Sequence, residues 1–564
     1  ADQDWRRFKA KANTIPVSDD TVTIPDESPN FLLMLADDLG YGDLGSYGNQ
    51  MAVTPNLDQL AADGVRFMHY YSPGTTCVPS RVAMMTGRLP ARWNETPEYD
   101  WTAKTPTVAE VLLRGAGYRT AHFGRWNIGP DAVVQDAIAA ASSKTRSGGA
   151  SSATVYGFEK VDMGDVPSRK TNGCTRDENT FDVAIEQLEM WASVDPARPW
   201  YMNVWARTPR APVPSTDCPW LLEGLGNVSV DERRLAEADL AKLRAARSQN
   251  ITAQFAMRAY GAELVGLDYN VGRLLDKLSA LALVESTVVA FSSDHGPGGS
   301  TDVSENDIYG PDHLMMGSVG KLRGGKGSFL EGGVRIPLIL RWPGKFPAGV
   351  VDDTSLLSHI DWLPTVSVLA HVGLMPSSEL DGENVFTAWT GTPRPNRTRP
   401  LCWQDYWKAR PRRSAIIRDG QWKFYAQNYS SELAAARGQL DNPANTFLLF
   451  DLLADANETH PVKDHAEVAE RLSLSAAECD ARMATGTFEP IVDPVMITAR
   501  KPLTERLDGV LKTEHLRQTL IPRTIMQTAR SWGDLTEEGK DAIRVWRLLH
   551  RRHLPRELGS ARLS

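Results

Sequence analysis

Phe31-Leu32-Leu33-Met34-Leu35-Ala36-Asp37-Asp38 is a run of six apolar residues that ends abruptly in two carboxylates. A short, continuous apolar run of this kind is typical of a strand that is buried on both faces of a parallel sheet. Ligand sites in open α/β sheets lie just beyond the carboxyl ends of such strands. Asp37 and Asp38 are therefore the first candidate site residues.

Further apolar runs, each bounded by Pro, Gly or charged residues, predict strands at 200–206, 287–293 and 336–342. Residues 55–64 predict a helix, since Thr54 suits the N-cap and Pro55 suits the first helical position. A second helix is predicted at 255–278, shortly before a strand. This alternation predicts an α/β fold with a doubly wound, mainly parallel central sheet.

A smaller sheet is predicted near the C-terminus. Residues 415–420 and 422–425 are strand-like runs on either side of a turn, and a third run lies at 448–452. A small antiparallel subdomain is the simplest interpretation. We therefore divide the chain into an N-terminal extension (1–28), a main α/β domain (29–395), a C-terminal subdomain (396–490) and a tail (491–564).

The tail is basic, with 14 Lys and Arg against 9 Asp and Glu. Ile543, Trp546 and Leu549 recur at a three-residue spacing, so part of the tail is predicted to be helical. Residues 521–528, Ile-Pro-Arg-Thr-Ile-Met-Gln-Thr, resemble the opening strand of sugar-nucleotide glycosyltransferases. Two interpretations stay open: helices that pack on the main body, or the start of a further glycosyltransferase-like module.

Composition restricts the class of protein. Hydrophobic residues make up 42% and charged residues 23% of the 564 residues, which is typical of a globular chain, and the net charge of −8 argues against a nucleic-acid partner. No run reaches the roughly 18 apolar residues that a membrane span needs. Asn-x-Ser/Thr sequons are typical of the secretory pathway, so we expect a secreted or lumenal protein, with lysosome and Golgi as candidate compartments. Six sequons occur, at Asn94, Asn227, Asn250, Asn396, Asn428 and Asn457.

The five cysteines are an odd number, which leaves one over if the others pair. If Cys77 is reserved for chemistry, the other four, Cys174, Cys218, Cys402 and Cys479, can form two disulfides. Their connectivity cannot be derived from spacing, and four buried thiols are an equally good interpretation.

A second polar pair, Asp294-His295, directly follows the predicted strand at 287–293. Three carboxylates that meet at one sheet edge repel one another, and a divalent cation relieves that repulsion. The oxygen-rich ligand set favours Ca²⁺ or Mg²⁺, while the single imidazole keeps Mn²⁺ or Zn²⁺ open. We expect Ca²⁺, with Mg²⁺ and Mn²⁺ as the alternatives.

Between these pairs lies Cys77-Val78-Pro79-Ser80-Arg81, followed by Thr86-Gly87-Arg88. This combination resembles the signature of the type I sulfatase family, Cys-x-Pro-Ser-Arg with a downstream Thr-Gly-Arg. Further matches occur in the family's order: Asp37-Asp38-Leu39-Gly40-Tyr41-Gly42-Asp43, Thr54-Pro55-Asn56-Leu57-Asp58, Ser293-Asp294-His295-Gly296 and the segment 324–337 from Gly324 to Pro337. The resemblance covers about residues 30–460.

The resemblance implies a sulfatase or alkaline-phosphatase-like sandwich with a smaller C-terminal antiparallel sheet. It also implies that a formylglycine-generating enzyme oxidises Cys77 to formylglycine, whose hydrate is the nucleophile. Arg81 would stabilise that hydrate, and Lys326 would bind sulfate oxygens and is a candidate proton donor. The implied metal ligands are Asp37, Asp38, residue 77, Asp294 and His295. Pro79 independently suits the first turn of a helix through Met85, which places residue 77 at a positive helix end.

The chain departs from the family pattern at three functional positions in two segments. The family's Gly-Lys-Trp-His-x-Gly reads Gly124-Arg125-Trp126-Asn127-Ile128-Gly129 here, and Arg210 stands where the family has a histidine. Arg125 still binds an anionic oxygen, but Asn127 and Arg210 do not exchange protons near neutral pH. Losing such groups costs about 10²- to 10⁴-fold in rate. A slow enzyme, one restricted to activated esters, and an inactive protein are all open.

Three hypotheses follow. The leading hypothesis is a sulfuric ester hydrolase that acts on a carbohydrate or aryl sulfate. The second is a catalytically impaired relative that binds sulfated glycans through a cationic pocket. The third is a phosphoester hydrolase on the same scaffold. The pocket residues of the second hypothesis are Arg81, Arg125, Arg210 and Lys326.

Overall fold

The computed structural model describes residues 27–92, 106–128, 156–163, 175–210, 221, 240, 244, 253–298, 316–373, 380–404, 416–426 and 447–485. The predicted tail and nearly all of the predicted N-terminal extension lie outside these residues. The chain divides into two compact units, Ala1–Ala476 and Ala477–Ser564. Within the described part of the chain, no helix is both long and apolar enough to cross a bilayer.

A large sheet forms the centre of the first unit. Its strands are β1 (Asn30–Asp37), β2 (Val65–Tyr71), β3 (Arg119–Gly124), β4 (Lys160–Asp162), β5 (Trp200–Pro209), β6 (Thr287–Ser293), β7 (Arg335–Arg341), β8 (Val350–Asp352) and β9 (Leu357–Ser358). The order is β4-β3-β5-β1-β6-β7-β2-β8, and β9 also pairs with β2. Every pairing is parallel except those of β7, which runs antiparallel to both β6 and β2. The predicted mainly parallel sheet is therefore confirmed.

Helices lie between and after these strands along the described part of the chain. The helices are α1 (Pro55–Ala62), α2 (Cys77–Thr86), α3 (Val108–Ala116), α4 (Glu178–Val194), α5 (Ala253–Ala280), α6 (Glu331–Val334), α7 (Trp362–Leu369), α8 (Phe386–Trp389) and α9 (Ala466–Thr485). The helices predicted at 55–64 and 255–278 are confirmed as α1 and α5. Thr54 is the residue before α1, but its side chain contacts Asp58 and Gly45 and does not cap the helix.

The opening apolar run is buried on both faces of the sheet. Phe31 and Leu33 belong to one hydrophobic core, whereas Leu32 and Met34 belong to a second core on the opposite face. Successive side chains of a strand point to opposite faces, which is why an uninterrupted apolar run is required here. Since β5 and β6 flank β1 in parallel, all three strands end at the same edge of the sheet.

The predicted C-terminal sheet is confirmed as a four-stranded antiparallel sheet. Its strands are β10 (Leu401–Trp403), β11 (Ile416–Asp419), β12 (Trp422–Tyr425) and β13 (Leu448–Asp451), in that order. The first of these strands was not predicted, because three residues are too few to show an alternating pattern. β11 and β12 form the hairpin that the sequence predicted.

Candidate active site

The two predicted acidic pairs meet where β1 and β6 end. Asp37 is the last residue of β1, and Asp294 and His295 directly follow β6. Asp38 takes a left-handed backbone conformation with φ 63°, and its N–H donates to Asp294 Oδ1 at 3.1 Å. All four side chains are almost fully buried. The parallel pairing of the two strands therefore brings together residues that are about 256 positions apart.

Cys77 lies within this group, at the first residue of α2. Its Sγ is 3.4 Å from Asp37 Oδ1, 3.9 Å from Asp38 Oδ1 and 3.2 Å from His295 Nε2. Burial raises the pKa of the Cys77 thiol well above its ordinary value, and repulsion from Asp37 and Asp294 adds to the shift. This environment keeps the thiol protonated at neutral pH, and a protonated thiol is a poor nucleophile.

The donor set fits a divalent cation. One donor atom from each of five side chains lies within 4.8 Å of all the others, and the five are Asp37, Asp38, Cys77, Asp294 and His295. Burial raises the pKa of Asp37, and repulsion from Asp294 raises it further. A cation among these carboxylates would remove that repulsion, and hard oxygen ligands favour Ca²⁺ or Mg²⁺.

His295 is oriented as a ligand. Its Nδ1 lies 2.7 Å from the carbonyl oxygen of Gly296, a group that only accepts hydrogen bonds. Nδ1 therefore donates to that carbonyl, and Nε2 is the ring nitrogen that faces the carboxylates, 3.2 Å from Asp38 Oδ1. A backbone carbonyl that fixes the tautomer of a metal-binding histidine in this way is a common arrangement.

Arg81 contacts two of the acidic side chains, Asp294 and Asp37. Its Nε and Nη2 donate to Asp294 Oδ2 at 3.0 and 2.9 Å, and Nη2 is 3.3 Å from Asp37 Oδ1. Nη1 donates to the carbonyl oxygen of Arg125, and the guanidinium lies over the ring of Trp205 at 5.3 Å. The Arg81 side chain is fully buried, so its charge is compensated by carboxylates rather than by water.

Three more cations border the same carboxylates. Arg125 Nη1 is 3.0 Å from Asp37 Oδ2, and Arg210 is 3.6 Å from both Asp37 and Asp38. Lys326 Nζ donates to both carboxylate oxygens of Asp38 at 2.7 Å and to Cys77 Sγ at 3.8 Å. Burial acts to lower the pKa of Lys326, but attraction to Asp38 and the other acidic neighbours together raises it, so the amine stays charged.

Asn127 is the one predicted site residue that the structure does not tie into this cluster. It lies two residues beyond Arg125, half-buried, with φ 54°. Among the described residues it makes no hydrogen bond. The sequence predicts that Asn127 stands where the family has a histidine, and no partner within the described ranges fixes its side chain.

Ser80 and His359 were missed by sequence reasoning. Ser80 Oγ donates to the carbonyl oxygen of Asp294, receives a hydrogen bond from Ser72 Oγ at 2.9 Å, and lies 3.0 Å from His359 Nδ1. Burial lowers the pKa of His359 to about 3, so this imidazole is neutral. Ser80 lies within the quoted motif but was not predicted as a site residue, and nothing local marks His359, 279 residues later.

The cysteines separate into two kinds. Cys402 and Cys479 are disulfide-bonded, whereas Cys77 is free and buried. Cys174 and Cys218 lie outside the described residues. A thiol kept apart from disulfide pairing, beside a cation site, agrees with the prediction that Cys77 is reserved for chemistry.

Comparisons with known proteins agree with this geometry. The sulfatase family model matches residues 29–372. Arylsulfatase A from Bos taurus is 32% identical over an alignment of 503 residues that covers 81% of this chain and 89% of that protein.

Two solved structures share the fold. The PsFucS1 sulfatase from Pseudoalteromonas sp. has a TM-score of 0.55 and 22% identity, over 86% of this chain and 93% of that chain. A phosphonate monoester hydrolase from Agrobacterium radiobacter has a TM-score of 0.54 and 18% identity, over 81% and 96%. The fold, the signature cysteine motif, the family model and the relative agree, and the chain belongs to the sulfatase family.

Proposed function

We propose that this protein hydrolyses a sulfate ester of a carbohydrate or an aryl alcohol, with formylglycine formed from Cys77 as the source of the nucleophile. The observation that carries the proposal is the position of Cys77. It is the first residue of α2, within 4 Å of two carboxylates, an imidazole and the amine of Lys326. An atom at this position lies beside the acidic side chains that would hold a cation and beside the Lys326 amine that would bind an anion.

The thiol itself is a poor candidate for the nucleophile. Burial and the neighbouring carboxylates raise the pKa of Cys77, and a thiol has no second hydroxyl group whose deprotonation would release the sulfate after transfer. The hydrate of an aldehyde at this position carries two hydroxyl groups, one to attack sulfur and one whose deprotonation releases sulfate and restores the aldehyde. Maturation by a formylglycine-generating enzyme is therefore part of the proposal.

Asp37, Asp38, residue 77, Asp294 and His295 would hold the divalent cation. We propose Ca²⁺, with Mg²⁺ and Mn²⁺ as alternatives. When bound, the cation would supply Lewis acidity that lowers the pKa of the attacking hydroxyl.

The chain's own cations would hold the sulfate group. Lys326, Arg125 and Arg210 border the carboxylates on the side of Cys77, and charge-assisted hydrogen bonds from them suit sulfate oxygens. Arg81 donates to Asp294 and so orients a metal ligand while it adds positive charge beside residue 77. Lys326 carries a proton and is the proposed donor to the leaving alcohol.

Asn127 and Arg210 limit the rate of this reaction. Neither exchanges a proton near neutral pH, so the family's two histidine positions contribute no acid or base here. We therefore propose a slow sulfatase that prefers esters whose alcohols leave readily. Complete loss of turnover, with retained binding of sulfated glycans, is the competing outcome.

We also propose that the protein matures in the secretory pathway and is secreted or lumenal. Asn396 and Asn457 both lie in sequons, and both are exposed. Cys402 and Cys479 are disulfide-bonded, which requires an oxidising compartment in most organisms.

The test compares product release from a matched pair of aryl esters, one a sulfate and one a phosphate, with and without a chelator. Cys77→Ala is the control that cannot form formylglycine. We expect chelator-sensitive sulfate release that is absent from the control. Faster phosphate release would favour a phosphoester hydrolase. Binding of a sulfated glycan without any turnover would favour the binding protein.

A further inference from the structure

A buried ionic cluster connects the small sheet to the large one. It consists of Glu331, Lys423 and Glu458, and we call it the strut. Lys423 Nζ lies 2.9 Å from Glu331 Oε1 and 3.1 Å from Glu458 Oε1. None of the three residues is more than 1% exposed. Lys423 belongs to β12 of the small sheet, whereas Glu331 begins α6, five residues after Lys326.

The strut holds main-chain atoms as well as side chains. Lys423 Nζ donates to the carbonyl oxygen of Phe329 at 2.8 Å, and the N–H of Glu331 donates to Glu458 Oε2 at 2.7 Å. Tyr425, also on β12, donates to Glu458 Oε1 and lies 3.4 Å from the carbonyl oxygen of Phe329. The backbone at 329–331 is therefore fixed by Lys423 and Tyr425 of the small sheet and by Glu458, which follows β13.

Hydrogen bonds and close packing connect this backbone segment to Lys326. The N–H of Ser328 donates to the carbonyl oxygen of Gly325 at 3.0 Å, and the turn is so tight that a Cβ at Gly333 would lie 2.0 Å from the carbonyl oxygen of Ser328. On its other side, the N–H of Lys326 donates to the carbonyl oxygen of Pro297 at 2.8 Å. A close-packed turn transmits displacement, so a shift at the strut moves Lys326.

We propose that Lys423 is a positioning residue, which sets the place of the Lys326 amine at the anion site through the strut. The inference rests on the proposed function, because it assumes that Lys326 binds the sulfate group. A role in stability alone does not account for the strut, since apolar residues often replace a buried ionic cluster without loss of stability.

The test is a double-mutant cycle between the strut and Lys326. The strut variant is Lys423→Met with Glu458→Gln, which removes one positive and one negative charge together. Glu331 then keeps Arg335 as its cationic partner, whose Nη1 lies 3.6 Å from Glu331 Oε2. Both the strut variant and Lys326→Ala are made singly and combined. Two quantities are measured for each protein: kcat/KM for an aryl sulfate, and Kd for inorganic sulfate by titration calorimetry.

We expect the strut variant to lose about tenfold in kcat/KM and in affinity for sulfate, but less than about twofold when Lys326 is already alanine. Equal losses in both backgrounds would overturn the proposal, because they would show a general structural effect. Unchanged kinetics in the strut variant would overturn it as well. If wild-type protein neither binds nor cleaves sulfate, the proposed function fails first, and the inference fails with it.

Tyr425→Phe provides a milder version of the same test. It removes the hydroxyl that donates to Glu458 of the strut and leaves both ion pairs in place. We therefore expect a folded protein with about a threefold loss in kcat/KM, which again disappears in the Lys326→Ala background. The matched control is Tyr118→Phe, which removes a buried hydroxyl that donates to the carbonyl oxygen of Pro29, and which should leave kinetics unchanged. Equal kinetic losses in the two tyrosine variants would contradict the proposal.

Discussion

Arg81 donates two hydrogen bonds to a single oxygen of Asp294, from Nε at 3.0 Å and from Nη2 at 2.9 Å. Both side chains are fully buried. Arg81 thus fixes the orientation of one proposed metal ligand, and its position four residues after Cys77 on α2 links the motif to the end of β6. Arg81 therefore belongs to the signature motif and also contacts the group of acidic side chains that could hold a metal ion.

Arg81→Lys should therefore impair the site although it keeps the charge. A lysine ammonium cannot reproduce the planar, paired donation of a guanidinium. We expect kcat/KM for an aryl sulfate to fall by about a hundredfold, and the free energy of unfolding to fall by about 3 kcal/mol because a buried ion pair is disrupted. Steady-state kinetics and chemical denaturation measure the two effects.

The matched control for Arg81 is Lys277→Ala, which removes an ion pair with Glu189 at the surface of α5. Surface pairs contribute about 0–1 kcal/mol, so this variant should keep both activity and stability. If Arg81→Lys behaved like the control, Arg81 would have no part in holding Asp294.

Metal removal should lower both activity and stability. Asp37, Asp38 and Asp294 are buried together, and a bound cation relieves their repulsion. We expect a chelator to abolish ester hydrolysis and to lower the unfolding free energy by about 3 kcal/mol relative to protein at about 100 Kd of Ca²⁺. Adding Ca²⁺ back should restore both. An activity that persists after exhaustive chelation would contradict the metal site.

Asn127→His should increase turnover. The residue has a left-handed backbone, which histidine tolerates better than most residues, and it makes no hydrogen bond among the described residues that would be lost. A positioned acid or base contributes about 10²-fold or more, so we expect kcat to rise by up to about a hundredfold, most for esters of poor leaving groups. Assays with a series of aryl sulfates of increasing phenol pKa measure this. An equal change across the series would argue against proton transfer by His at this position.

Asp268 predicts a pH dependence of stability away from the site. This α5 residue accepts hydrogen bonds from the N–H groups of Asn56 and Leu57 at the start of α1. Burial raises the pKa of Asp268 to about 6 in the folded protein, from an ordinary 3.8. The folded state therefore binds more protons than the unfolded state between these values, so this contribution is full below about pH 4 and is lost as the pH rises through about 6.

The size of that contribution is about 3 kcal/mol. Asp268→Asn removes the titrating group, so the difference in unfolding free energy between wild type and variant should change over this pH window and be flat above about pH 7. Denaturation at a series of pH values measures the difference. A difference that does not vary with pH would show that the pKa of Asp268 is not raised.

The meeting of the acidic side chains could be predicted from the sequence because the strand ends carry a local signal. Asp37 and Asp294 end continuous apolar runs, and the carboxyl ends of parallel strands share one sheet edge. Cys77 stands at a helix start that Pro79 marks. The reversed direction of β7 had no such signal, since a buried strand has the same composition in either direction.

The strut could not be predicted for a different reason. Lys423 Nζ and Glu331 Oε1 meet across 92 positions, and a lysine in a short strand is ordinarily exposed. Only the packing of the small sheet against the turn after Lys326 makes that lysine a buried partner. His359 was missed for the same reason, because its contact with Ser80 depends on tertiary packing alone.

The proposed function depends most directly on the chemical identity of residue 77 in the mature protein. Trypsin should release residues 67–81 as one peptide, which begins after Arg66 and ends at Arg81. Mass spectrometry of this peptide, from protein made in a host that carries a formylglycine-generating enzyme, measures the modification directly. We expect the mass of an aldehyde in place of the thiol. A peptide found only with an unmodified Cys77 would contradict it.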